Sequence, residues 1–194
     1  IAGLPGETLQ TFGQGFDRLL SMNPQEIQVG VLKRLRGTPI VRHDREWGMQ
    51  YNPHPPYEIL CNKRMDFETL QRLRRFARFW DLLANSGRFS QTLPCLWREG
   101  ESPFESFLRF SDWLGAELGR SHSIALVALA EYLHRYLTEE LQREGIAEVL
   151  RADWFRDGVK RERLAFLEAE SSAHLRSEAQ KSTGAKRQKR HLAG

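Results

Sequence analysis

The first 32 residues place the strongest constraint on the fold, because strand, helix and strand patterns follow one another there. Residues 1–6 form a short apolar stretch that runs into a Leu-Pro-Gly turn, and residues 27–32 alternate in polarity and are rich in β-branched side chains. Apolar side chains recur between them at helical spacing, namely Leu9, Phe12, Phe16, Leu19 and Leu20. A βαβ unit has this length, and its two strands are parallel and joined by a right-handed crossover.

This βαβ pattern stands alone in the chain. A two-stranded parallel sheet cannot cover its own faces, so parallel strands normally lie in a larger sheet with helices on both sides. No further alternation of strand and helix patterns follows residue 32. We therefore expect residues 1–42 to be the last βαβ unit of a larger α/β domain that continues upstream, which makes the sequence a fragment.

The rest of the chain carries mostly helical patterns. Residues 43–65 form a Pro-rich connecting loop with an extended segment near residues 57–60, and residues 66–171 form a helical domain. Asp66 and Ser102 mark helix starts and Gly145 marks a stop, which predicts helices over residues 66–85, 102–119, 123–142, 146–155 and 159–171. The first of these is expected to expose Arg72, Arg75 and Arg78 and to bury Leu70, Leu73, Ala77, Trp80 and Leu83. The predicted fold class is mainly α.

Positive charge is concentrated at the C-terminal end. The formal net charge of the chain is +4. Residues 171–194 contain six basic side chains and one acidic side chain, so they contribute +5, and residues 1–170 therefore carry a net charge of −1. A basic tail, residues 172–194, is expected to be flexible and solvated. This tail and the Arg-rich segment 72–78 leave open a helical nucleic-acid-binding or protein-binding module. We do not favour nucleic acid as the partner, because such binders normally carry their charge on the folded surface.

Recognised metal-binding motifs are absent from the sequence. Its two cysteines, Cys61 and Cys95, lie 34 positions apart, and none of the six histidines belongs to a zinc pattern. We expect no metal site in this chain, a reducing cytoplasmic location, and, without an apolar run of about 18 residues, no membrane span. The densest group of acid–base side chains lies in the connecting loop, where a plain polar loop is the alternative: His43, Asp44, Arg45, Glu46, Tyr51 and His54.

Two motifs near the N-terminus resemble a known family. The segment Ile1-Ala-Gly-Leu-Pro-Gly-Glu-Thr8, followed by a helix, a strand and Arg36-Gly-Thr-Pro39, resembles the end of a radical SAM barrel, a partial TIM-type barrel. The remainder resembles the uncharacterised helical region that follows the barrel in one group of cobalamin-binding radical SAM proteins. That second resemblance rests on Pro-Pro-Tyr-Glu-Ile-Leu at residues 55–60 and Lys-Arg-Gln-x-Arg-His-Leu at residues 186–192.

The resemblance implies a radical enzyme whose chemistry needs regions outside this sequence. Such enzymes hold a 4Fe–4S cluster on Cys-x-x-x-Cys-x-x-Cys, and electron transfer to bound S-adenosylmethionine releases a reactive radical. That motif is missing here, so residues 1–194 alone should hold no cofactor and should be inactive. The cluster and a cobalamin-binding domain are expected upstream, and the partners are these N-terminal regions and an unidentified substrate. No catalytic residue is assigned.

The resemblance also implies which residues of this chain lie near S-adenosylmethionine. The first strand ends beside the adenine and the second at the barrel mouth, which points to Ile1, Gly3, Leu4, Pro5, Leu32 and Lys33. The family motif places an acid three residues after the Gly, where this chain has Gly6, with Glu7 one residue later. Glu7 is therefore expected either to contact the cofactor or to support the helix start, where Thr8 can cap exposed amides.

Overall fold

A computed structural model of the chain describes residues 1–119, 122–156 and 164–167. The described part is mainly helical with one small sheet, which confirms the predicted fold class. The chain divides into two compact units, Ile1–Ile124 and Ala125–Gly194. The predicted basic tail and most of the predicted helix over residues 159–171 lie outside the described residues.

The described residues of both units contain helices. The helices are α1 (Leu9–Ser21), α2 (Asp44–Trp47), α3 (Phe67–Trp80), α4 (Pro103–Leu118), α5 (Leu126–Arg135) and α6 (Ile146–Phe155). Short 3₁₀ turns span Pro39–His43 and Leu93–Leu96, and π-turns at Asp81–Asn85 and Tyr136–Glu140 extend α3 and α5. The sheet pairs β1 (Gln50–Tyr51) with β2 (Ile59–Cys61) in antiparallel fashion.

The two predicted N-terminal strands are reduced to a single parallel bridge between Ala2 and Val31. The Ala2 N–H donates to the Gly30 carbonyl at 2.7 Å, and the Leu32 N–H donates to the Ala2 carbonyl at 2.9 Å. The pairing is parallel as predicted but shorter, because Gly3 has φ +90° and turns the chain away directly after Ala2.

One helix starts later than its pattern indicates. The apolar periodicity predicts a helix from residue 123, whereas α5 begins at Leu126. Ser123 has φ +55°, and Ala125 has the extended backbone of an N-cap residue, so the intervening residues cannot belong to the helix.

An aromatic cluster joins α1, α3 and α4. The Phe16 ring of α1 meets the rings of Phe76 and Trp80 edge-on, with centroid separations of 5.1 and 4.8 Å. Phe104 of α4 lies 5.0 Å from Phe76 and 5.6 Å from Phe12. Edge-to-face pairs of buried rings contribute beyond their area burial, so α1 is part of the core of the first unit.

α3 buries most of the predicted stripe and two further rings. Phe76 and Phe79 are fully buried with Leu70, Leu73, Trp80 and Leu83, whereas Ala77 is half-buried.

Arg72 and Arg75, predicted to face solvent, instead bind Asp112 of α4. Arg72 reaches Asp112 Oδ2 from Nε and Nη2 at 2.9 and 2.6 Å, and Arg75 Nη2 reaches Oδ1 at 2.8 Å. The shared carboxylate draws both guanidinium groups across the α3–α4 contact.

The start of α4 is capped from two sides. Ser102, the predicted N-cap, accepts from the Glu105 N–H at 3.1 Å. Asp17 of α1 accepts from the Ser102 hydroxyl at 2.5 Å and from the Phe104 N–H at 2.7 Å. A carboxylate at a helix N-terminus satisfies exposed amides and complements the helix dipole, so α1 stabilises α4 directly.

Candidate functional site

The turn between Ala2 and α1 forms the first part of the site. Gly3 and Gly6 both have positive φ, at +90° and +81°. A Cβ on Gly3 would lie 2.8 Å from Ile59 Cγ2, and the Gly3 carbonyl accepts from Asn62 Nδ2 at 3.2 Å. Glycine is required at residue 3 both by the backbone angle and by the close approach of β2.

The predicted cofactor-binding residues form two groups, one from residues 1–5 and one from residues 32–33, which lie side by side at the Ala2–Val31 bridge. The six residues are Ile1, Gly3, Leu4, Pro5, Leu32 and Lys33. Ile1 and Leu4 are 66% and 37% exposed, and Lys33 is exposed and lies 3.9 Å from Glu58. Leu32 is buried, and its N–H and C=O are paired with Ala2 and Ile59. The exposed surface of this group is therefore formed by Ile1, Leu4 and Lys33, and the assignment of all six to a cofactor stays a prediction.

Glu7 does not cap α1. The cap is Thr8, whose hydroxyl accepts from the Thr11 N–H at 3.1 Å, while Thr11 Oγ1 accepts from the Thr8 N–H at 2.9 Å. Glu7 Oε2 is buried and has no hydrogen-bond partner. Burial raises the pKa of this carboxyl, an effect that backbone N–H groups in the turn partly offset. One carboxylate oxygen of the site is therefore left for a donor outside the described contacts.

A second cluster lies directly after Lys33. Arg34 Nη2 lies 3.2 Å from Asp44 Oδ2, and its guanidinium lies over the Tyr51 ring at 5.6 Å from the centroid. Asp44 Oδ1 and the Tyr51 hydroxyl are both buried without a hydrogen-bond partner. Burial raises the pKa of Tyr51, and the Asp44 charge adds to this effect, so the phenol stays protonated and able to donate.

The loop pattern located only part of this cluster. It singled out Asp44 and Tyr51, which the structure brings together, and also His43 and His54, which have other contacts. His43 Nε2 accepts from Arg42 at 3.1 Å, and the His54 backbone N–H donates to Asn52 Oδ1 at 3.0 Å. Arg34 was missed, although it follows a predicted strand end, the position where α/β folds place ligand contacts.

A cavity of about 500 Å³ between α1, α3 and α4 also escaped the sequence patterns. Its lining combines apolar side chains with Asp17, Arg72, Ser102 and Arg109. Asp17 and Arg72 are already engaged in the contacts that join the helices. The cavity is therefore bounded by groups that hold the fold together.

The described residues contain neither a cluster of metal ligands nor a helix that could span a membrane. No group of three His, Cys, Asp or Glu side chains within these residues could hold a metal ion. Cys61 on β2 and Cys95 in the second 3₁₀ turn are not joined in a disulfide. None of the described helices is long and apolar enough to cross a membrane.

These features define a mainly helical protein with a glycine turn near its N-terminal end, between the Ala2–Val31 bridge and α1. The chain belongs to the family described as Protein of unknown function (DUF4080), whose family model matches residues 45–193. The match begins inside α2 and leaves residues 1–44 outside. No curated protein and no solved structure matches the chain.

Proposed function

We propose that the chain is the C-terminal part of a radical SAM enzyme of the cobalamin-binding group, and that residues 1–5, with Leu32 and Lys33, form one wall of its S-adenosylmethionine site. The observation that carries the proposal is the pair of motifs at residues 1–8 and 36–39, joined by α1 and a parallel backbone bridge. The family match supports it, because this domain is found in some radical SAM and cobalamin proteins.

The residues of this chain fit contacts to S-adenosylmethionine and do not fit the cluster. When bound, S-adenosylmethionine would supply the radical after one-electron reduction. Ile1 and Leu4 present exposed apolar surface suited to an adenine ring, and Lys33, two residues after the Ala2–Val31 bridge, carries an exposed ammonium. Two cysteines cannot supply three thiolates, and no metal-binding group lies among the described residues, so a 4Fe–4S cluster does not fit here. No residue is assigned to cobalamin.

We assign the substrate side of the site to Arg34, Asp44 and Tyr51. Lys33 and Arg34 are neighbours in the chain, and their side chains engage different partners, Glu58 and Asp44. Asp44 Oδ1 can accept a hydrogen bond and the Tyr51 hydroxyl can donate one, and both atoms are buried without a partner. A substrate with one donor and one acceptor would satisfy them. The reaction type is not assigned.

The decisive test is the complete gene. We expect the codons upstream of Ile1 to encode an in-frame Cys-x-x-x-Cys-x-x-Cys followed by βα repeats. The complete protein, reconstituted anaerobically with iron and sulfide, should then form 5′-deoxyadenosine from S-adenosylmethionine and a reductant. A start codon directly before Ile1, or a complete protein that binds no cluster, would refute the proposal.

A pair of substitutions tests the assigned wall in that complete protein. Leu4→Asp should raise the KM for S-adenosylmethionine at least about tenfold, because it replaces apolar contact with a charge. Phe155→Asp is the control, since Phe155 is 46% exposed, close to the 37% of Leu4, but lies on α6, outside residues 1–33. Equal KM values in the two variants would remove residues 1–5 from the site while leaving the enzyme class intact.

We do not favour the alternative of a nucleic-acid-binding or protein-binding module. Its main feature is the basic tail, whereas residues 1–170 sum to −1. A module that binds polynucleotide needs an extended basic surface in its folded part.

A further inference from the structure

One face of α3 lies along an open cleft. The cleft has a volume of about 390 Å³ and is lined by Gln71, Arg74, Arg75, Arg78 and His122. The four α3 residues follow the i, i+3, i+4, i+7 spacing that places side chains on one helix face. The three arginine side chains are 59%, 34% and 44% exposed in chain order, so guanidinium groups line a wall that solvent reaches.

Carboxylates on neighbouring elements orient two of these arginines. Arg74 Nη1 lies 3.5 Å from Glu58 Oε2, and Arg75 Nη2 donates to Asp112 Oδ1 at 2.8 Å. A guanidinium carries five N–H donors, and each of these contacts uses one terminal nitrogen. Both arginines therefore keep donors for a further acceptor, and the hydrogen bond to Asp112 orients Arg75 before that acceptor arrives.

Gly115 of α4 provides the space in which Arg75 lies. A Cβ at this position would lie 2.6 Å from Arg75 Cδ and 2.9 Å from Nε. Any larger residue would push the Arg75 side chain off α4 and away from Asp112. The glycine therefore leaves room for the Arg75 side chain beside Asp112, at the edge of the cleft.

We propose that this cleft binds the phosphoryl group of a small phosphorylated ligand. Arginine forks match the oxygens of a phosphate group, and several arginines converging on one cleft provide the donors that a phosphate needs. The size favours a small ligand, and the −1 charge of residues 1–170 is opposed to an extended polynucleotide track. The proposal does not depend on the radical SAM assignment.

Isothermal titration of residues 1–194 tests this site. The probes are inorganic phosphate, pyrophosphate and AMP, with adenosine as the uncharged counterpart of AMP. We expect the three phosphates to bind and adenosine not to bind. AMP binding more tightly than inorganic phosphate would identify a nucleotide as the source of the phosphoryl group, and equal affinities would identify the free anion.

Two double variants distinguish binding in the cleft from a general effect of positive charge. Arg74→Gln with Arg78→Gln should weaken pyrophosphate binding at least about tenfold, because charge-assisted hydrogen bonds are lost. Arg18→Gln with Arg98→Gln removes the same charge at exposed positions outside the cleft and should change the dissociation constant less than about twofold. Arg74→Lys keeps the charge but loses the fork, and should fall between wild type and the double variant.

Three outcomes would overturn the proposal. The first is no heat from any phosphate probe at millimolar concentration with a folded chain, verified by circular dichroism. The second is equal weakening in the two double variants, which would place the binding in general electrostatics or in the basic tail. The third is a ten-nucleotide RNA that binds far more tightly than AMP and loses affinity in the cleft variant, which would replace the small ligand by a polynucleotide.

Discussion

Two glycines in one helix provide a stability test of how α1 is packed. Gly13 and Gly15 both lie within α1, but Gly13 is buried against Phe104 of α4 and Gly15 is exposed. A Cβ on Gly13 would lie 2.8 Å from Phe104 Cε1, whereas a Cβ on Gly15 would meet nothing within 4 Å. The same substitution, Gly to Ala, should therefore have opposite effects on the free energy of unfolding at these two positions.

The expected magnitudes follow from helix propensity and overpacking. Gly15→Ala should stabilise the chain by about 0.5–1 kcal/mol, because alanine loses less backbone entropy in a helix. Gly13→Ala gains the same amount but must displace the Phe104 ring, which is 2% exposed, and such overpacking costs about 1–3 kcal/mol. The variants should therefore differ by about 1–3 kcal/mol, with the Gly13 variant the less stable.

Urea unfolding followed by circular dichroism measures both values against wild type, at equal chain concentration. Gly15→Ala is the matched control, since it reports the propensity gain alone. If Gly13→Ala stabilised the chain as much as Gly15→Ala does, α1 would not be packed on Phe104. In that case residues 1–32 would be poorly ordered in the isolated chain, as expected of a βαβ unit without its neighbours.

Two further predictions concern a cap and a histidine. Asp17→Ala should lower the free energy of unfolding in urea by about 1–2 kcal/mol, because the Phe104 N–H loses its acceptor. A coupling energy near zero in a double-mutant cycle with Ser102→Ala would contradict the cap. Burial lowers the pKa of His134, which stacks on Phe166 at a centroid distance of 3.8 Å, so the folded state favours the neutral ring. The contribution of His134 to the free energy of unfolding should be complete above pH 6.5, the ordinary pKa of histidine, and should be lost as the pH falls below that value. His134→Phe should reduce the dependence of the melting temperature on pH in this range. An unchanged pH dependence would refute the assignment.

Local sequence signals predicted the helices well. Asp66 Oδ1 accepts from the Thr69 N–H at 2.8 Å, and Ser102 caps α4, as both residue types predict at those positions. These interactions span three residues, so the sequence pattern contains all the groups involved. Gly145 does not end the preceding helical segment, which stops at Glu140; it has φ +70° and is the N-cap of α6, whose bounds, Ile146–Phe155, are those predicted.

Contacts between distant segments were not predictable from such patterns. The Asn85 amide binds both the N–H and the C=O of Ile27, at 3.2 and 3.1 Å, across 58 residues of chain. The Asn85 side chain thus pairs with backbone groups that a neighbouring strand would otherwise bind. This is one reason why residues 27–32 do not form a strand. The candidate site has the same character, because Arg34, Asp44 and Tyr51 meet only after the loop has folded. A single polar residue without periodicity carries no signal of its distant partner.

The packing of α1 has a consequence for how this chain can be inherited. The family match begins at residue 45, yet α1, which precedes it, supplies Phe16 to the aromatic core and Asp17 to the start of α4. A recombination breakpoint at residue 44 would transfer the matched region without these groups and would expose the Trp80 and Phe104 rings. Exchange between genes is therefore expected to move α1 together with the matched region, as one heritable block.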